Sequence, residues 1–113
     1  MTTRDIYLVD LNPTKGAETK KARPCIIVSN DDVGILPLKV VVPLIGHKDI
    51  HNNKSWLIPI DVTLENGLAK KSTADALNIR SVSDTRIIKR IGVLDEETYL
   101  RLLHAMKIVL NMV

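Results

Sequence analysis

The chain has 113 residues, 45% hydrophobic and 26% charged, with a net charge of +3. That length supports one packed core and not two, so a single domain over residues 1–113 is expected. One cysteine excludes an intramolecular disulfide and a cysteine metal cluster, and the lack of Phe leaves the core to Ile, Leu and Val.

The first apolar runs, Ile6–Leu11 and Cys25–Ser29, read as strands separated by a polar loop, Asn12–Ala22. Further strands are expected at Lys39–Leu44, Trp56–Ile60, Ala74–Ser81 and Ile87–Ile91, with Pro43 and Pro59 at strand ends. Loops fall at Asn30–Leu38, Gly46–Ser55 and Val62–Lys71, the last marked by the turn pair Asn66-Gly67. The period then changes. Asp95 is placed to cap a helix whose Tyr99, Leu102, Leu103, Met106, Leu110 and Val113 share one apolar face. Short strands followed by a terminal helix predict a mainly β fold, a small barrel made from a strongly bent antiparallel sheet. No apolar stretch approaches the ~18 residues of a membrane helix, and no long apolar run follows a basic N-terminus. A cytoplasmic location is the expectation.

Candidate chemistry concentrates in the first loop. Lys15, Lys20, Lys21 and Arg23 surround one carboxylate, Glu18. The Arg23 guanidinium can bind two phosphate oxygens at once and keeps its charge at any working pH. Pro24 restricts the Arg23 backbone to extended conformations. The competing reading of Arg23 is a solvated arginine at a strand start. Glu18 is either simple charge balance or a carboxylate that orients Arg23 or accepts a proton. Farther on, Asp75, Asn78 and Arg80 offer hydrogen-bonding groups of both signs, with Arg80 and Ser81 near an open surface between Ile79 and Val82. Trp56 is a stacking platform or a packing contact. His47 and His51 are four apart in a Gly- and Asn-containing loop without acidic companions, so neither a metal nor a cofactor is expected.

The run Asp5 to Pro13, then Lys15-Gly16-Ala17-Glu18, Arg23-Pro24 and Val28-Ser29-Asn30-Asp31, resembles the MazF/PemK family of toxin endoribonucleases. Asn66-Gly67-Leu68, Ser72 to Asp75, Asn78-Ile79-Arg80-Ser81-Val82 and Gly92-Val93-Leu94 continue the resemblance in order over nearly the whole chain. It implies an SH3-like or CcdB-like barrel, a homodimer, and a cognate antitoxin that covers the site with a segment ordered on binding. It also implies metal-independent, sequence-selective cleavage of single-stranded RNA by the neighbouring 2′-OH, leaving a 2′,3′-cyclic phosphate and a 5′-OH. By position, Arg23 matches the catalytic arginine and Glu18 the carboxylate of the first loop. Arg80 and Ser81 match the strand that contributes to the RNA groove, and Asp75 and Asn78 are expected to contact RNA with them. Lys15, Lys20, Lys21 and Lys48 are expected to draw in the RNA backbone.

Three positions depart from the family pattern. Ile45 stands where a threonine or serine usually assists the arginine, Asn78 where glutamine is usual, and Arg4 where glycine precedes Asp5. Isoleucine donates no hydrogen bond, and removing such a donor costs about 100–1000-fold in rate. His47, two residues from Ile45 on the same face of an extended strand, is a candidate replacement as acid, base or oxyanion donor. The alternative function is a catalytically weakened member that binds nucleic acid or an antitoxin. A gyrase-directed role rests on fold analogy with CcdB alone.

Overall fold

The computed structural model describes residues 1–34 and 36–113, so position 35 of the expected Asn30–Leu38 loop lies outside the described residues. Seven strands form an antiparallel sheet: β1 (Asp5–Asp10), β2 (Ala22–Ile27), β3 (Leu38–Gly46), β4 (Leu57–Ile60), β5 (Ser72–Asp75), β6 (Arg80–Ser83) and β7 (Ile87–Val93). The order is β4-β5-β3-β2-β1-β7, with β6 also on β3. No ladder among the described residues joins β4 to β7. The expected bent antiparallel sheet with a C-terminal helix is present, and it stays open rather than closing.

The helix α1 (Glu96–Val109) starts as expected, because the Asp95 side chain accepts a hydrogen bond from the Thr98 amide. Tyr99, Leu102, Ala105 and Met106 are its buried residues. They pack on Ile6, Ile26, Val42, Leu44 and Leu94, forming the main core on one face of the sheet. Leu110 and Val113 lie past the last helical residue and are exposed, so the expected apolar stripe stops near Met106. No helix among the described residues is long and apolar enough to cross a membrane.

Alternation sends the odd-numbered residues of β1, β2 and β3 to the opposite face. There Val9, Leu11, Cys25, Ile27 and Val41 join Val82 in a second, smaller apolar cluster that the helix does not cover. The strands thus have two apolar faces, one packed under α1 and one buried in the bend of the sheet without help from the helix.

The expected strand Ala74–Ser81 is two strands. Leu44 pairs with Ala74 and Val41 with Arg80, so three steps along β3 are matched by six along its partner. A 3-10 turn, Ala76–Asn78, takes up the excess. The absence of Gly and Pro from Ser72 to Ser83 conceals it in the sequence. Pro43 is correspondingly not at a strand end but inside β3. Val40 directs its amide and carbonyl toward β2, through Ser29 and Val28. Odd-numbered Pro43 therefore faces the other edge, at the gap opened by the turn, where no ladder needs its missing N–H. Pro59 also lies within a strand, β4, which is at the sheet edge.

Backbone meets backbone where the turn before β5 crosses β7. A Cβ on Gly67, whose φ is +64°, would stand 2.3 Å from the Ile91 carbonyl oxygen, and one on Gly92 would stand 2.4 Å from that of Asn66. Glycine is required at both. Arg4 likewise has φ +78°, which explains the glycine expected there, and its Nε donates to the Leu94 carbonyl at 3.0 Å.

Candidate RNA-cleaving face

Arg23 lies in β2, one residue into the strand rather than at the end of a loop. It is paired with Val9 and shares its face with Cys25 and Ile27, at the edge of the second buried cluster. Its Nε donates to the Lys20 carbonyl at 3.2 Å, which holds the half-buried side chain against the base of the loop. One edge of the guanidinium is thus engaged and its terminal amino groups remain for an anion.

The loop before Arg23 is closed at its base. Leu11 N donates to Lys21 O at 3.0 Å, and Lys21 N to Asn12 Oδ1 at 3.2 Å. Glu18 does not orient Arg23. It is exposed, and its carboxylate accepts from the Lys15 amide, closing a turn whose reverse bond runs from Glu18 N to Lys15 O. Lys15, Lys20 and Lys21 are exposed around that turn, and Lys48 is exposed after β3 at the same end of the sheet.

The β5–β6 turn docks on this loop. Asn78 Oδ1 accepts from Thr19 N at 3.1 Å, and Asn78 Nδ2 donates to Asp75 Oδ2 at 2.7 Å. The other Asp75 oxygen accepts from Leu77 N. Both residues therefore hold the turn together, and the asparagine that departs from the family pattern is short enough to fit between Asp75 and Thr19. Arg80 lies on the same face as its partner Val41, half-buried at the edge of the second cluster, and donates to the Leu11 carbonyl at 3.3 Å. It also lies near enough to Cys25 to act on its thiol. Burial pushes that thiol up to about 12, and the Arg80 charge pulls the other way. Ser81 is exposed and points to the other face, so it does not join Arg80.

At the far side of the face, β3 runs through Gly46 and His47 N continues the pairing by donating to Lys71 O. Ile45 and His47 therefore share a face, as expected. Ile45 stands two residues beyond Pro43, and Arg23 two residues beyond Cys25, the last pair of the β2–β3 ladder. Across the next ladder Ile45 is paired with Thr73, which is fully buried. Thr73 Oγ1 lies 2.8 Å from His47 Nδ1 and 3.1 Å from His51 Nδ1. The two imidazoles stand edge to face with centroids 5.8 Å apart. Sequence reasoning missed Thr73 and the use of His51. The spacing of four was visible, but their common partner sits on a different strand. Arg86 was missed as well; it donates to the carbonyls of Asp10 and Asn12 and adds a cation at the base of the loop.

Trp56 is half-exposed ahead of β4 and its carbonyl accepts from Ala76 N. A depression of about 460 Å³ lined by Leu8, Pro24, Leu68 and Ile91 lies on the other face of β1 and β2 and includes none of the expected site residues.

Arg23, Arg80 and the cationic loop thus come together beside a sheet face that the helix does not cover. Residues 2–110 match the family described as PemK-like, MazF-like toxin of type II toxin-antitoxin system. The chain belongs to this family. It is 29% identical over 111 residues to Endoribonuclease MazF9 of Mycobacterium tuberculosis, covering 96% of this chain and 94% of that one. MazF from Deinococcus radiodurans has a similar fold at 15% identity, with a TM-score of 0.81 over 99% of this chain and 97% of that one. So does an endoribonuclease from a mycobacterial species, solved in complex with its cognate antitoxin. Its TM-score is 0.76 at 17% identity, over 100% of this chain and 97% of that one. The open sheet with a closing helix is thus the architecture of the toxin family.

Proposed function

We propose that this toxin-family chain is a metal-independent endoribonuclease that cuts single-stranded RNA at short sequences. The carrying observation is Arg23, half-buried and held by the Lys20 carbonyl beside the cationic loop, on the face that also carries Arg80. Attack of a 2′-OH on the adjoining phosphorus places extra negative charge on the phosphate oxygens, and a guanidinium stabilises it by paired hydrogen bonds. Arginine keeps its proton and does not serve as the base. The products are a 2′,3′-cyclic phosphate and a 5′-OH. Lys15, Lys20, Lys21 and Lys48 attract the RNA backbone, which makes binding salt-dependent. The endoribonuclease relative and the antitoxin-bound structural relative support the same reading. In it the protein is a single toxin domain that acts as a homodimer in the cytoplasm and is held in check by a cognate antitoxin.

The binding-module alternative draws on Ile45 alone. Thr73, across the ladder from Ile45, carries a hydroxyl, but it is buried against His47 and His51 and does not take the missing donor's place on a phosphate. The test is incubation of the purified protein with a long single-stranded RNA in EDTA, with new 5′ ends mapped and the 3′ ends assayed for cyclic phosphate. Cuts at recurring short sequences that disappear in Arg23→Ala are expected. Intact RNA at high protein concentration, with RNA or antitoxin binding preserved, would establish the binding-module reading instead. A target bearing a single 2′-deoxy sugar at the cut site should bind and stay whole.

A further inference from the structure

The group formed by His47, Thr73 and His51 has one hydroxyl proton and two imidazoles that both aim Nδ1 at it. A third contact breaks the symmetry. The Lys48 amide donates to His51 Nδ1 at 3.1 Å, and a backbone N–H can only donate. His51 Nδ1 is therefore a lone pair and the neutral ring carries its proton on Nε2. The buried Thr73 hydroxyl can share that lone pair with the Lys48 amide, and in that order its oxygen accepts from His47. The order is His47 Nδ1–H to Thr73 Oγ1, and Thr73 O–H to His51 Nδ1.

This order leaves His47 with a lone pair on Nε2. That atom has no protein hydrogen-bond partner among the described residues. His47 is half-buried on the face that carries Ile45, with Nδ1 turned to the buried hydroxyl. Neighbouring strands are about 4.8 Å apart, so Arg23 on β2 and Thr73 on β5 flank the Ile45 position at a separation of about 10 Å. A bound phosphodiester with its ribose spans such a gap.

We propose that Thr73 and His51 lock His47 in the Nδ1–H tautomer, so that its Nε2 takes the 2′-hydroxyl proton of the RNA bound on this face. The proposal rests on the RNA-cleaving reading above. In the step, the 2′-oxygen forms a bond to phosphorus while the bond from phosphorus to the 5′-oxygen breaks. The 2′-proton passes to His47 Nε2, and the departing 5′-oxygen takes a proton from water. The imidazolium then returns its proton to solvent. His47 is the catalytic base, and Thr73 and His51 are positioning residues.

The lock is read directly by imidazole 15N NMR on the full chain at a pH where the histidines are neutral. His47 should show a protonated Nδ1 and a bare Nε2, and His51 the reverse. Thr73→Val should move His47 to the Nε2–H form, and Thr73→Ser should keep the wild-type pattern. A wild-type His47 protonated at Nε2, or no change in Thr73→Val, would overturn the lock. In cleavage assays Thr73→Val and His47→Gln should each lower kcat about 100-fold with KM unchanged. Thr73→Ser should stay near wild type, and the double variant should be no slower than either single one. Full kcat in Thr73→Val while Arg23→Ala is inactive would overturn the base role and leave RNA cleavage standing. Absence of cleavage by the wild type, with the tautomers as stated, would remove the base role and leave the lock.

Discussion

Thr19 and Asn78 are 59 positions apart in the chain, and the backbone amide of the first donates to the side-chain oxygen of the second at 3.1 Å. This bond ties the cationic loop to the turn between β5 and β6. It places Lys20 and the Arg23 it holds at a set distance from Arg80, which a loop anchored at its two ends alone would not do.

Asn78→Ala should release that loop. One neutral hydrogen bond contributes about 0.5–1.5 kcal/mol, so amide exchange at Thr19 should speed up several-fold while β1 to β3 keep their protection. RNA cleavage should fall more than overall stability does. Unchanged exchange at Thr19 would show that the loop is held by Asn12 and Lys21 alone.

Arg23→Lys keeps the charge but removes the two-pronged donor and the bond to Lys20. A loss of about 100-fold in kcat is expected, with the salt dependence of RNA binding preserved. Single-turnover cleavage of a short fluorogenic RNA provides the measurement. A wild-type rate would mean that Arg23 contributes charge and no geometry.

Arg4 occupies a backbone conformation that costs a side-chain-bearing residue about 1–2 kcal/mol and glycine little. Arg4→Ala and Arg4→Gly both lose the side-chain bond to the Leu94 carbonyl and keep the backbone bond from Leu94 N, but only the alanine retains the strain. Urea unfolding should therefore find Arg4→Gly more stable than Arg4→Ala by about 1 kcal/mol. The reverse order would contradict the left-handed geometry.

Cys25 is neutral in the folded protein well above the pH at which an unfolded thiol ionises, because burial pushes its pKa from 9.0 up to about 12. Below pH 9 the thiol is neutral in both states and its contribution to folding is fully present. As pH rises from 9 toward 12 the unfolded state sheds the proton first, so stability falls by about 1.4 kcal/mol per pH unit from this group. Cys25→Ala should remove that part of the alkaline slope in a urea titration. The native thiol should also resist alkylation until the chain unfolds.

Much of the architecture follows from local pattern. The apolar runs that became β1, β2 and β3, the Asn66-Gly67 turn and the Asp95 cap each depend on residues within a few positions of one another. Arg23 was legible for the same reason, since the cations around it and Pro24 after it are adjacent in the chain. Tertiary structure decided the rest. The 3-10 turn at Ala76–Asn78 sits inside a run that contains no Gly or Pro, and only the jump in pairing against β3 exposes it. Pairing also split Arg80 from Ser81, turned Glu18 onto Lys15, and set Thr73 beside Ile45 with His47 and His51 upon it. Side-chain neighbours across a sheet are fixed by register between distant segments, which no short window of sequence contains. The chain by itself specified the strands, the closing helix and the arginine, and register chose the groups that surround it.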